Sequence, residues 1–136
     1  MKTIKAGCFL IDKKAKCVAL IYRKNRNDFS FPKGHLEEGE DIKTCAIRET
    51  EEETKRAVVV LDEFSPYVET YTTPSGENCE CYMFFALDAG KSNNLSTDTH
   101  DLIWTPFNKV EQKLTYNSLK VTWNNVKQVI QKIMNS

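Results

Sequence analysis

The sequence predicts an α/β fold on three observations. Short runs rich in β-branched and aromatic residues, bounded by turn residues, recur as far as about residue 107. Two longer stretches, 41–54 and 116–134, lack Gly and Pro and repeat apolar residues at helical spacing. The chain has 136 residues and no internal repeat, so a single domain over 1–136 is expected, large enough to bury a core.

The elements follow in order. Residues 3–11 read as a strand, closed by the polar turn Asp12-Lys13-Lys14-Ala15-Lys16, and residues 17–23 as its hairpin partner. A polar loop at 24–28 leads to Phe29-Ser30-Phe31-Pro32, where Pro32 fixes its own φ and restrains Phe31. A Gly-punctuated loop then runs into the first helix, with Asp41 as N-cap at the positive end of its dipole. Residues 57–61 are a β-branched strand. Residues 66–73 and 78–87 carry alternating aromatics around Thr73-Pro74-Ser75-Gly76-Glu77 and read as a second hairpin. Residues 88–101 are polar and aperiodic, which predicts a loop of a length often tied to function. A short strand at 102–107 surrounds Trp104, and Asn108 caps a short helix at 109–113. In the last helix Leu119, Trp123, Val126, Ile130 and Ile133 step by three and four.

Composition narrows the function. Lys+Arg 19 balances Asp+Glu 19, which argues against a broad nucleic-acid surface. No apolar run reaches the length of a membrane span, and the first residues do not read as a signal peptide, so a cytoplasmic protein is expected. Cys79 and Cys81 share a strand face, but a zinc site needs partners that two His do not supply; the five Cys read as free thiols.

Chemistry concentrates in residues 34–56, which hold seven Glu and one Asp. Each helical residue advances by roughly 100°, so Glu49, Glu52 and Glu53 share about one quadrant, with Ile42, Cys45 and Ala46 on the same stripe earlier. Like charges so placed repel unless a cation sits among them, and Mg²⁺ takes carboxylates, waters and phosphates as ligands. Arg48 can pair with Glu52, or reach back to Glu40 or Glu37. The plain alternative is a solvated acidic helix face. Glu37 and Glu38 read as solvated loop residues, and Glu51 as exposed and pointing away.

The spacing adds more. Gly34, five residues, Glu40, seven residues, Arg48-Glu49, two residues, then Glu52-Glu53 resembles the signature of the Nudix hydrolases. Three positions depart from that pattern: Thr50 and Arg56 replace bulky apolar residues, and Lys55 replaces a Gly. A Lys in the Gly conformation costs about 1 kcal/mol; otherwise the helix must end differently.

The resemblance implies a mixed sheet sandwiched between helices and Mg²⁺- or Mn²⁺-dependent hydrolysis of a nucleoside diphosphate-linked substrate, with the chain as monomer or homodimer. It makes Glu52 and Glu53 the main metal ligands, Glu49 a ligand or the base, and the Lys33 carbonyl the completing ligand. Gly34, Glu40 and Arg48 would hold these from behind, Arg48 acting within the catalytic set. Pro32-Lys33-Gly34-His35 resembles the loop of the dinucleoside polyphosphate and diphosphoinositol polyphosphate hydrolases, where Lys33 would contact phosphate and His35 would do the same or cap the loop. Asp98, six residues before Trp104, stands where such proteins often carry an acidic ligand or base, with His100 and Asp101 as rivals and an ordinary polar loop as the plain alternative. Tyr116 would line the pocket and stack on a base, or serve as a core Tyr; Tyr71 and Tyr82 are similar candidates. The leading substrate class is then the dinucleoside polyphosphates such as diadenosine tetraphosphate. The alternatives are an oxidised-nucleotide triphosphate pyrophosphohydrolase, an RNA 5′-end pyrophosphohydrolase, and a nucleotide-sensing module that has lost catalysis.

Overall fold

A computed structural model describes residues 2–94, 96–98 and 100–136. Its elements in chain order are β1 (Lys2–Asp12), β2 (Cys17–Arg23), β3 (Asp28–Ser30), β4 (Lys33–His35), α1 (Ile42–Thr54), β5 (Arg56–Val60), β6 (Tyr67–Thr72), β7 (Asn78–Lys91), β8 (Asp101–Pro106), a 3₁₀ turn (Phe107–Lys109), α2 (Val110–Lys113) and α3 (Asn117–Met134). All the strands join one mixed sheet with helices on both faces, so the α/β layering holds.

Two adjacent long strands, β1 and β7, carry the sheet. They run parallel in an unbroken register from Lys2 opposite Asn78 to Ile11 opposite Leu87. Side chains alternate between faces along a strand. Phe9, Ile11, Met83 and Phe85 therefore pack against Val110, Leu119, Trp123, Val126 and Ile130 of α2 and α3. Cys8, Leu10 and Ala86 pack against Cys45 and Ala46 of α1. A strand covered on both faces reads as a continuous apolar run, as residues 6–11 do. All five apolar positions stepping along the last helix are buried.

The sheet forks along β1. Its early part pairs with β4, from Lys5 opposite His35 to Gly7 opposite Lys33, and its end pairs with β2 through Ile11 and Asp12 alone. β7 forks too, pairing with β6 over residues 78–83 and with β5 farther on. Gly7 is demanded by this close approach: a Cβ there would stand 2.0 Å from the Pro32 carbonyl oxygen.

Several expected boundaries move. The first hairpin exists, but β1 gives most of its hydrogen bonds to β7 and β4, because a third element claims its edge. The expected loop 88–101 is shorter, since β7 runs on to Lys91 and anchors β5 through the Arg56–Asp88 fork at 2.7 and 2.8 Å. β3 and β4, three residues each, interrupt what read as loop; strands this short carry no period. The short helix starts at Val110 without a side-chain cap, and Tyr116 lies outside α3 with an extended backbone.

One signature departure finds a physical account and another a physical cost. Lys55 adopts the left-handed conformation of a C-cap Gly (φ 61°, ψ 25°), its N–H donating to the Glu51 carbonyl. Thr50 is fully buried, and its hydroxyl finds no hydrogen-bond partner among the described residues. An unpaired buried hydroxyl costs about 1–3 kcal/mol. Thr50→Val, which keeps shape and removes that hydroxyl, should raise stability by about 1 kcal/mol, read as a higher urea midpoint at unchanged slope.

Candidate active site

α1 begins where Asp41 accepts the Thr44 N–H at 2.7 Å and lies against β1, which aims its last turn at the fork of the sheet. The carboxylates near that end are not equivalent. Glu53 is the innermost, 9% exposed, and accepts the Lys33 N–H at 3.0 Å. Glu49 lies directly behind Gly34: a Cβ on Gly34 would fall 1.7 Å from Glu49 Oε2. Gly34 is thus required by space rather than by backbone angle. Glu52 is half-exposed and held by Arg48, whose Nη1 donates to its two oxygens at 3.1 and 3.3 Å.

Arg48 is the hub behind them. It grips Glu40 with two hydrogen bonds at 2.7 and 3.0 Å and donates to the His35 carbonyl at 3.1 Å. Glu49 and Glu37 lie 3.7 and 3.6 Å from it. The guanidinium beside Glu40 pulls that carboxyl down to about 2. Glu37 and Glu38 are solvent-exposed. Glu51 departs from its expected exposure: it is half-buried, because the Ser92 hydroxyl, 3.3 Å away, brings the chain after β7 over it.

Asp98 and His100 meet Glu53 from the loop between β7 and β8. His100 Nε2 lies 3.8 Å from Glu53 Oε2, and Nδ1 lies 3.5 Å from Asp98 Oδ1. Among the described residues these three form the group whose ligand atoms all fall within 4.8 Å of one another. Such gaps exceed hydrogen-bond length, and donors around a cation bound at 2.0–2.1 Å lie roughly 3–4 Å apart. The group therefore fits a divalent cation, whereas Glu49 and Glu52 stand outside it.

Burial pushes Glu53 up from an ordinary 4.5 to about 8, with Glu49 and Asp98 adding repulsion and the Lys33 N–H opposing. Burial raises Glu49 as well. A carboxyl raised in the folded state binds its proton more tightly there than when unfolded. Metal-free protein should thus lose stability, on the order of a few kcal/mol, as pH climbs from about 4.5 to about 8. Chemical denaturation across that window measures it; Glu53→Gln should flatten the slope, and so should saturating Mg²⁺.

A cleft of about 690 Å³ opens above Glu53. Along its lining the Lys5 and Lys33 ammonium groups lie 5.9 and 5.7 Å from the Tyr71 ring centre. Arg23, Arg26 and Tyr116 line it as well. Asp28, fully buried, fixes two of these: it accepts two bonds from Arg23 at 2.6 and 2.7 Å and the Tyr116 hydroxyl at 2.7 Å. His35 is exposed and also borders the cleft. Tyr82 lies on the opposite sheet face, packed with the α1 layer and bonded to Glu80, because its place in β7 turns it away. Lys5, Arg23 and Arg26 were not singled out from the sequence. Lys5 left a faint sign, since alternation puts it on the Phe9 face beyond the end of the apolar run.

Helices on both faces of a mixed sheet, with a cleft at the fork of the strands, define an α/β protein of the kind that can take a ligand at a strand divide. Residues 1–123 match the NUDIX domain model, and the chain belongs to that family. An 8-oxo-(d)GTP phosphatase of Mycolicibacterium smegmatis is 31% identical over 99 residues, 73% of this chain but 30% of that protein. The chain thus spans less than a third of that curated relative. Among solved structures, an Ap4A hydrolase binary complex from C. elegans superposes with a TM-score of 0.76 at 18% identity, covering 96% of this chain and 98% of that one. A NUDIX hydrolase from Nitrosomonas europaea gives 0.72 at 18% identity, covering 88% and 84%. At such identities the likeness is one of fold. Among the described residues no helix is long and apolar enough to cross a membrane.

Proposed function

We propose that the chain hydrolyses a pyrophosphate bond in a nucleotide with the help of Mg²⁺ or Mn²⁺, with dinucleoside polyphosphates such as diadenosine tetraphosphate as the leading substrate class. The observation that carries this reading is the cleft itself. Two groups, each an aromatic ring with two cations, line it around Glu53: Tyr71 with Lys5 and Lys33, and Tyr116 with Arg23 and Arg26. A ring takes a base, and a cation beside it takes phosphate. A substrate with a base at each end and a polyphosphate between uses both groups.

The residues have distinct tasks in this reading. Lys33, Lys5 and His35 draw in and orient the phosphates, and Glu53 with Asp98 and His100 holds the cation. A bound divalent ion would neutralise phosphate charge and lower the pKa of its water. Glu49, half-buried behind Gly34 with a raised pKa, takes the water proton or adds a ligand, and Glu52 completes the acidic set. Arg48 and Glu40 keep the helix and the loop before it in register. Five free thiols suit a reducing compartment such as the cytosol.

A second reading has its own support. The relative named for 8-oxo-(d)GTP favours a triphosphate whose single base occupies one of the two groups. Initial rates on dinucleoside polyphosphates, oxidised and ordinary nucleoside triphosphates, and 5′-triphosphate RNA, each with Mg²⁺ and with Mn²⁺, decide between them. The first reading expects the highest kcat/KM on a dinucleoside polyphosphate, with Tyr71→Ala and Tyr116→Ala each raising KM. Preference for a triphosphate with indifference to one Tyr supports the second. Inactivity on every nucleotide overturns both in favour of a sensing module.

A further inference from the structure

Lys55 occupies a left-handed backbone position that a Gly would fill without steric cost. What the side chain does there accounts for its presence. Its ammonium donates to the Glu52 carbonyl at 2.7 Å, one of the orphan acceptors at the end of α1, and to the Asp98 carbonyl at 2.9 Å, 43 residues farther along the chain.

The loop it reaches is held by short internal bonds. The Asn94 N–H donates to the Ser92 hydroxyl, Ser96 N–H to Asn94, Asp98 N–H to Ser96, and His100 N–H to the Asp98 carboxylate. The start of the loop is pinned to α1 by the Ser92 N–H on the Lys55 carbonyl and the Ser92 hydroxyl on Glu51. Among the described residues, the Lys55 ammonium makes the one hydrogen bond from outside the loop to residues 96–98. Those residues carry Asp98 to the site, and His100, two positions on, stands 3.8 Å from Glu53.

We propose that Lys55 is a positioning residue: its ammonium ties the Asp98–His100 arm to the end of α1 and so sets that arm against Glu53. This rests on the reading of Glu53, Asp98 and His100 as the cation-holding group, and it adds a tie between the signature helix and a loop far along the chain. The same substitution that departs from the signature Gly thereby acquires a use.

The test compares Lys55→Gly, Lys55→Met and Lys55→Arg in the full chain by thermal melting, by kcat and KM on the best substrate of the panel, and by Mn²⁺ binding to substrate-free protein followed by electron paramagnetic resonance. Lys55→Gly relieves the backbone and removes the ammonium. It should melt no lower than wild type, yet lose roughly 10–100-fold in kcat and about 10-fold in Mn²⁺ affinity with KM little changed, in the range seen for residues that orient metal ligands. Lys55→Met should lose as much, and Lys55→Arg should recover most of it. Combined with Asp98→Asn, Lys55→Gly should add little further loss, because both act through one arm. Wild-type kcat and Mn²⁺ affinity in Lys55→Gly would overturn the proposal, as would full additivity with Asp98→Asn. Mn²⁺ affinity is read without turnover, so an inactive wild type would sink the hydrolase reading and leave this tie tested.

Discussion

Glu53→Gln should reduce nucleotide hydrolysis by roughly 10²–10⁴-fold while the fold stays intact. The substitution keeps the shape and the acceptor for the Lys33 N–H, one of the bonds that join α1 to β4. It removes the carboxyl that can ionise around a cation, from the only acid of the signature helix that also meets Asp98 and His100, among the described residues. Glu52→Gln should cost activity heavily as well, but its carboxylate is already matched by Arg48 at 3.1 Å, so its metal affinity should fall less than that of Glu53→Gln. Steady-state rates and Mn²⁺ titrations on the two variants give the comparison. Equal metal affinities in Glu53→Gln and wild type would remove Glu53 from the centre of the site.

This grading of the acids was only half legible in the sequence. Helical spacing is local information, so Glu49, Glu52 and Glu53 could be placed on one face, and Arg48 could be given its partners Glu40, Glu52 and Glu37. Which acid lies deepest depends on what packs over the helix end, and that is β4 and the loop before β8, brought there by strand pairing. The same limit governs the fold. Apolar runs marked β1 and β7, but their parallel pairing joins residues more than seventy positions apart and leaves no periodic trace. Lys5 and Arg23 entered the cleft unannounced for that reason. Lys55 is the converse case: its oddity was plain from spacing, while its reach to the Asp98 carbonyl required the folded loop.

Arg48→Ala should weaken both stability and catalysis, because one guanidinium serves several acceptors. Its side chain is 23% exposed and that of Glu40 only 11%, so removing the cation strands a carboxylate that water reaches poorly. Breaking such a pair should cost about 2–3 kcal/mol, less than a fully buried one. Activity should fall by roughly 10–100-fold, since the His35 carbonyl and the Glu52 carboxylate lose the group that aligns them. Lysine restores charge but not the fork, so Arg48→Lys should recover less than half of the lost stability. The pH dependence separates this from a general packing loss. Glu40 titrates in the folded protein at about 2 instead of 4.5. A depressed folded value means the pair stabilises fully above about 4.5 and loses its contribution as pH falls toward 2. The stability gap between wild type and Arg48→Ala should therefore be widest near neutrality and narrow steadily below pH 4.5. Urea unfolding at pH 7, 4.5 and 3 reads that gap directly; a gap that stays constant down to pH 3 would mean that Arg48 supports the fold by its bulk, not by its charge on Glu40.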